Sequence, residues 1–254
     1  MLWKSQISFV NALRQKKQRK EQGLFIVEGS KSIVEFAQSK YRIHTIFHTA
    51  EAAPKLGDLS RTLKLQEIKN GELKKISALS APNDALALIH IPERTNVKKE
   101  SLKGKFVLVL DGIQDPGNLG AMIRTADWFG FTEMICSPDT VEAYNPKVVQ
   151  ASMGSLSRIS LYYEDLAKIL SGATMPVFGA LLDGKSIYDT SFGDEGFVLL
   201  GNEGSGISET AKAFITTAVT IPRFGKAESL NVAISAAILC SELKRSRNLP
   251  LLCR

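Results

Sequence analysis

The chain has 254 residues, 23% charged and 44% hydrophobic, an ordinary globular composition that excludes whole-chain disorder, collagen and fibrous repeats. No apolar run approaches the roughly 20 residues of a membrane helix, and the basic, broken start MLWKSQISFVNALRQKKQRK is not a signal peptide, so the expected location is cytoplasmic. The net charge of +6 is uneven: residues 1–103 hold 19 Lys+Arg against 10 Asp+Glu, and 104–254 hold 13 against 16. A basic front on a near-neutral back suits a polyanionic partner.

The front half reads as strands alternating with short helices. LFIVEG (24–29) is an apolar strand, and SKSIVEFAQSK follows as a helix with Ser30 at its cap. IHTIFHT (43–49) and TLKLQEI (62–68) alternate as strands do, GELKKISALS is helical, and ALALIHI (85–91) is another strand. This pattern makes a small α/β domain over 1–93. RTNVKKESLKGK is polar and without apolar periodicity, and the linker falls at 94–104.

From 105 to 254 the order suits a mostly parallel sheet covered on both faces. FVLVLDGI (106–113) is a strand buried on both sides. LGAMIRTADWFGF is a helix, EMICSP a strand, and Asn145-Pro146 opens another helix. MPVFGALL (175–182), GFVLLG (196–201) and AVTIP (218–222) are three further strands, and NVAISAAILCSEL (231–243) is the last helix.

Cys136, Cys240 and Cys253 are widely spaced with no CxxC pair, so reduced thiols and no metal are expected. The densest basic run, RQKKQRK, holds Arg14, Lys16, Lys17, Arg19 and Lys20. It is either a solvated helix end or a set of RNA phosphate contacts.

Three loops in the second half gather Gly, Asn, Pro and Ser after a strand: DGIQDPGNLGAMIRTAD (111–127), GNEGSGIS (201–208) and IPRFGKAESLNVAISAA (221–237). Ligands of parallel α/β sheets bind beyond the carboxyl ends of the strands, so the three point at one cleft. Singly, each is explained by turns and caps. Asn118 sits where a helix begins and reads as its N-cap, Arg124 as a surface arginine, and Ser229 and Asn231 as capping groups. GNEGSG is neither the dinucleotide fingerprint nor a P-loop.

In order, the three loops resemble the SpoU-type RNA 2′-O-ribose methyltransferases of the SPOUT superfamily. The resemblance rests on N-x-G-x-x-x-R (Asn118, Gly120, Arg124), on GNEGSGIS with Glu203, and on ESLNVAISAAI with Ser229 and Asn231. QGLFIVEGSKSIVE (22–35) and SAPNDALALI (80–89) are similar to the family's ribosomal-protein-like substrate-binding domain. The resemblance implies a SPOUT domain with a deep trefoil knot, a homodimer, and S-adenosylmethionine as cofactor. It implies a cofactor site at Leu200, Gly201, Asn202, Gly206, Ile221, Arg223 and Leu230, and a catalytic set of Asn118, Arg124, Glu203, Ser229 and Asn231. Arg223 is a departure, because relatives carry Met after the Pro. Arg223 and Lys226 either touch RNA or are simply exposed.

The implied reaction methylates a ribose 2′-hydroxyl, with 23S rRNA favoured as substrate. A tRNA 2′-O-methyltransferase and a catalytically silent RNA-binding protein are the alternatives. No histidine lies beyond His90, which removes a histidine base from the second half. Arginine holds its proton too tightly to act simply as a base, so the expected role of Arg124 is to grip a phosphate and stabilise the oxyanion. Asn118 is expected to orient Arg124 or the ribose, and Glu203 to pin Arg124 or the loop.

Overall fold

The computed structural model describes residues 1–57, 59, 62–93 and 95–246; Cys253 lies outside them. The chain begins with α1 (Lys4–Ala12), α2 (Lys16–Gln22), β1 (Leu24–Glu28), α3 (Ser30–Ala37), β2 (Ile43–His48), α4 (Ala53–Leu56), β3 (Leu65–Glu67), α5 (Asn70–Ile76) and β4 (Ala85–His90). It continues with β5 (Phe106–Leu110), α6 (Pro116–Trp128), β6 (Glu133–Cys136), α7 (Pro146–Ala151), β7 (Ser160–Tyr163) and α8 (Leu166–Leu170). It ends with β8 (Val177–Ser186), β9 (Gly196–Leu200), α9 (Glu209–Lys212), β10 (Thr217–Thr220) and α10 (Val232–Ser246). Two compact units result: Met1–Glu93 with Glu142–Arg158, and 94–141 with the chain from Ile159 onward.

The first unit is built on a four-stranded sheet in the order β1-β4-β2-β3, antiparallel except for the β2–β3 pair. Side chains alternate across a strand. Leu24, Ile26, Leu86 and Leu88 therefore share one face, packed with Val10, Leu13, Leu73 and Ile76 of the α1 and α5 region. Phe25 turns to the other face and meets Phe36, Tyr41 and Tyr144 in an aromatic cluster with centroids 4.7–5.8 Å from its own. Tyr144 belongs to the segment Glu142–Arg158, which the sequence grouped with 105–254. Arg158 also bonds Glu35 at 3.0 Å within this unit.

The two front segments that resemble the substrate-binding domain meet at Asp84. Its carboxylate accepts from the Ser30 amide and hydroxyl, both at 3.0 Å, and from Lys55 at 2.7 Å. Burial opposes its ionisation, but the Lys55 ammonium and the two Ser30 donors outweigh that and hold the carboxyl below its ordinary range.

Arg19 corrects the reading of the basic run. It is only 2% exposed. Its guanidinium donates to the carbonyls of Leu13 and Arg14 at 2.8 and 2.7 Å and to the Glu142 carboxylate. The Leu13 and Arg14 carbonyls lie in the turn just past α1, and Arg19 satisfies them. It is a buried tie within the first unit, not an RNA contact. Arg19→Ala strands a carboxylate and two carbonyls, so we expect it to lower stability by about 3 kcal/mol. Urea unfolding measures this, and an unchanged midpoint would refute the assignment.

The second unit is a six-stranded sheet in the order β10-β8-β9-β5-β6-β7, every pair parallel. Central β5 and β9 are buried along their whole length, as their unbroken Val, Leu and Phe runs require. Val107, Val109, Leu199 and Ile135 pack with Leu166, Ile169 and Leu170. Cys136 and Cys240 are free and buried, and burial pushes the Cys240 thiol up to about 12.

The topology selects the site. From β5 the chain moves outward to β6 and β7; from β9 it leaves in the opposite direction, past β8 to β10. Connections that part in this way open a crevice at the carboxyl ends of the two strands. The loops after β5 and β9 flank that crevice.

Candidate active site

The loop after β5 is held from below. Gly112 donates its amide to Ser137 Oγ at 2.8 Å, and Ile113 donates to Thr140 Oγ1 at 3.2 Å. Ser137 in turn donates to Asp139 at 2.5 Å, and Gln114 donates to the Asp139 carbonyl at 2.9 Å. The SPDT segment after β6 follows no site motif in the sequence. Its signal was there, because Ser, Asp and Thr bond nearby backbone amides.

Asn118 is not the cap of its helix. Asp115 caps α6, accepting the Asn118 amide at 2.8 Å, and Pro116 takes the first turn, where its missing N–H costs nothing. The Asn118 side chain is thereby released. Its Nδ2 donates to the Glu203 carboxylate and its Oδ1 accepts from Asn231 Nδ2 at 2.9 Å. Asn231 Oδ1 accepts the amides of Ala233 and Ile234 at 2.9 and 3.3 Å, which makes Asn231 the cap of α10.

A single directed chain results. Helix amides donate to Asn231, Asn231 donates to Asn118, and Asn118 donates to Glu203. Each amide gives through nitrogen and receives through oxygen, so the links polarise in one sense. The chain joins all three loops, across sequence separations of 85 and 113 residues.

The loop after β9 closes on itself. Asn202 and Gly206 exchange both backbone bonds at 2.9 Å. Asn202 Oδ1 accepts the amides of Gly204 and Ser205, and its Nδ2 donates to the Gly112 carbonyl at 2.7 Å. Asp111 accepts the Ser208 amide at 2.7 Å. Asn202 and Asp111 thus fix the second loop to the first. Gly201 is the point of closest approach, since a Cβ there would lie 2.2 Å from the Gly206 carbonyl carbon.

A cavity of about 930 Å³ opens between the second and third loops, walled also by Leu181 and Leu182 of β8 and Leu239 of α10. Leu200, Gly201, Asn202, Gly206, Ile221, Arg223 and Leu230 all line it, together with Glu203 and Ser229. Its size falls in the range of roughly 300–1,000 Å³ of small-ligand sites. Apolar walls with glycine backbone at closest approach suit a nucleoside face, and Ser229 and Asn202 suit its polar groups. The lining therefore fits S-adenosylmethionine. Arg223 is exposed, and its guanidinium bonds the Ala227 carbonyl at 3.3 Å.

Arg124 stands apart from this network. It is exposed on α6 and makes no hydrogen bond or ion pair among the described residues. Glu203 is held by Asn118, not by Arg124. Among the described residues no group of three or more His, Cys, Asp or Glu could hold a metal, and no helix is long and apolar enough to cross a membrane.

Residues 105–241 match the SpoU rRNA Methylase family, and residues 4–87 match the MRM3-like substrate binding domain. The chain belongs to the SpoU rRNA methylase family. The family segment contains the whole amide chain and every cavity residue of the second and third loops. The 23S rRNA (guanosine(2553)-2′-O)-methyltransferase RlmP of Bacillus subtilis is 30% identical over 91% of this chain and 93% of its own. A TrmH-family protein from Porphyromonas gingivalis superposes with a TM-score of 0.86 at 37% identity, over 96% of this chain and 99% of that one. An rRNA methyltransferase from Sinorhizobium meliloti, solved with AdoMet bound, superposes with a TM-score of 0.84 at 26% identity, over 98% and 97% of the two chains. The α/β architecture with a parallel-sheet SPOUT domain, the methyltransferase class and the S-adenosylmethionine cofactor expected from the SpoU resemblance are thereby borne out.

Proposed function

We propose that this chain transfers a methyl group from S-adenosylmethionine to a ribose 2′-hydroxyl of 23S rRNA. The observation that carries the reading is the directed chain from Asn231 through Asn118 to Glu203, which locks three loops around a cofactor-sized cavity. The full-length similarity to RlmP, whose substrate is 23S rRNA, favours rRNA over tRNA. The homodimer and the trefoil knot implied by the family belong to this proposal, as does a cytoplasmic location.

Bound S-adenosylmethionine supplies a methyl carbon made electrophilic by a positively charged sulfur. The protein's own task is positioning. Leu200, Gly201, Ile221 and Leu230, which line the cavity, would enclose the adenosine, and Asn202 keeps the enclosing loop shut. The 2′-oxygen must lose its proton as it attacks, so negative charge develops there. Arg124, uncommitted within the described chain, holds the phosphate beside the target ribose and opposes that charge. The same phosphate takes the proton. Asn118 and Asn231 set the floor on which the ribose rests, and Ser229 closes the edge.

The direct test incubates the protein with methyl-labelled S-adenosylmethionine and unmodified total RNA, then separates rRNA from tRNA. Label in 23S rRNA, resistant to alkaline cleavage at one nucleotide, is the expected result. Label in tRNA alone would overturn the substrate, and no label with intact cofactor binding would overturn the reaction. Sedimentation of the purified chain tests the dimer.

Of the basic run, Lys16, Lys17 and Lys20 remain exposed, while Arg14 donates to the Ile76 and Ser77 carbonyls at the end of α5. We propose the three lysines as RNA phosphate contacts. Changing them together to Gln is expected to flatten the dependence of log affinity on log salt by about one unit per lost contact. An unchanged slope would return them to a solvated face.

A further inference from the structure

Arg14 and Arg19 of the basic run are engaged within the fold, and the first unit assembles a second cationic group from residues far apart in sequence. At one end of its sheet the β2–β4 register runs from Ile43 opposite Ile89 to Thr45 opposite Leu88. His44 is therefore the extra residue of a bulge. A bulge leaves its residue without a partner across the ladder and re-aims its side chain. His44 meets His90 edge to face, with centroids 5.5 Å apart. Arg42 places its guanidinium 3.2 Å from His90 Nδ1, and its carbonyl accepts the His90 amide at 2.9 Å. Lys64, beside the start of β3, adds its charge at His44. Arg42, His44 and Lys64 are exposed and His90 is half-buried.

We propose that Arg42, His44, Lys64 and His90 form a phosphodiester-binding cluster that takes the backbone of the substrate RNA. The inference rests on the RNA reading above and adds a place on the first unit where the RNA is held.

The chemistry of the cluster favours an anion over a metal ion. The charged groups acting on the two rings are all cations: Arg42 and Lys64 at His44, and Arg42 with His44 at His90. A divalent metal would be repelled by them. A guanidinium can only donate, so Arg42 fixes His90 with a bare Nδ1 and the proton on Nε2. That Nε2–H is a ready donor. Thr45 Oγ1 donates to the His44 carbonyl at 2.8 Å and lies 3.1 Å from His44 Nδ1, so Nδ1–H donates to it. His44 Nε2 is then bare in the neutral ring and must gain a proton to hold a phosphate oxygen.

Partial burial and these neighbouring cations hold both imidazoles below their ordinary value of 6.5. A bound phosphate cancels the repulsion at His44 and raises its value, so RNA binding takes up a proton there, while His90 donates through the Nε2–H it already holds. Affinity is then greatest below the free-state value and falls as pH rises toward the bound-state value.

The test uses the full chain, filter binding, and transcripts of 23S rRNA and of tRNA, in a salt series from about pH 6 to pH 8. Arg42→Gln/Lys64→Gln is expected to flatten the log–log salt slope by about two units, one per phosphate contact. His44→Gln/His90→Gln is expected to remove the pH dependence while keeping most of the slope at pH 8. Affinity for S-adenosylmethionine stays unchanged in both. Slopes and pH profiles that match the parent protein in both variants would overturn the inference. Inorganic phosphate that shifts the histidine resonances, with RNA slopes unaltered, would also overturn it in favour of a small-anion site. RNA binding through the cluster without methyl transfer would refute the proposed function and leave this inference standing. Methyl transfer with unaltered slopes would do the reverse.

Discussion

Arg124→Ala is expected to lower methyl transfer about 10²–10³-fold, the loss that follows removal of one donor aimed at a developing oxyanion. The effect falls on kcat, because the interaction strengthens only as the 2′-oxygen becomes negative. Cofactor affinity should not move, since Arg124 does not line the cavity. Stability should change by no more than about 0.5 kcal/mol, because the side chain is exposed and bonded to nothing among the described residues. Arg124→Lys separates two roles. Lysine restores a point charge but not the two-pronged geometry of guanidinium on phosphate. Partial recovery would assign Arg124 a mainly electrostatic part, and no recovery a bidentate grip. Full turnover by Arg124→Ala, in single-turnover kinetics on the labelled RNA, would remove it from the mechanism.

How far the sequence carries the architecture depends on burial. The FVLVL and GFVLL runs of β5 and β9 identify themselves because both faces of those strands are covered. SLYY of β7 does not announce itself as a strand. It is a four-residue edge strand, half-buried throughout, and shows neither an apolar run nor alternation. Helix α1 is equally hard to read, because polar residues interrupt its apolar positions. The site is less legible still. A cap motif is local, yet DPGN offers two candidates three residues apart. Only the fold decides that Asp115 caps α6 and Asn118 reaches Glu203. The same limit explains Arg19. A charge run does not say which cation its helix turns inward, and here the answer depends on Glu142, more than a hundred residues away. The links among Asn118, Glu203 and Asn231 were legible only as the ordered motifs of a family, since no spacing rule connects residues across three strands.

Gly201→Ala is expected to weaken S-adenosylmethionine binding by at least about 100-fold, because the methyl group has nowhere to go. Its Cβ would stand 2.2 Å from the Gly206 carbonyl carbon, 2.3 Å from the Ile207 amide nitrogen and 2.4 Å from the Gly206 oxygen. All three are backbone atoms, so no side-chain rotation relieves the clash. The strands of the hairpin 202–206 must part, and the paired bonds between Asn202 and Gly206 that shape the cavity wall are lost with them. Overpacking of this kind costs about 1–3 kcal/mol, which leaves a folded chain with a displaced cofactor loop. Gly225→Ala is the matched control in the third loop, where an added Cβ meets nothing within 4 Å. Calorimetric titration of both variants with S-adenosylmethionine separates crowding from loss of glycine as such. Binding lost at Gly201 and kept at Gly225 supports closure of the second loop as the step that makes the cofactor site. Equal affinities would mean that the wall yields, and that the cofactor is held chiefly by the third loop and α10.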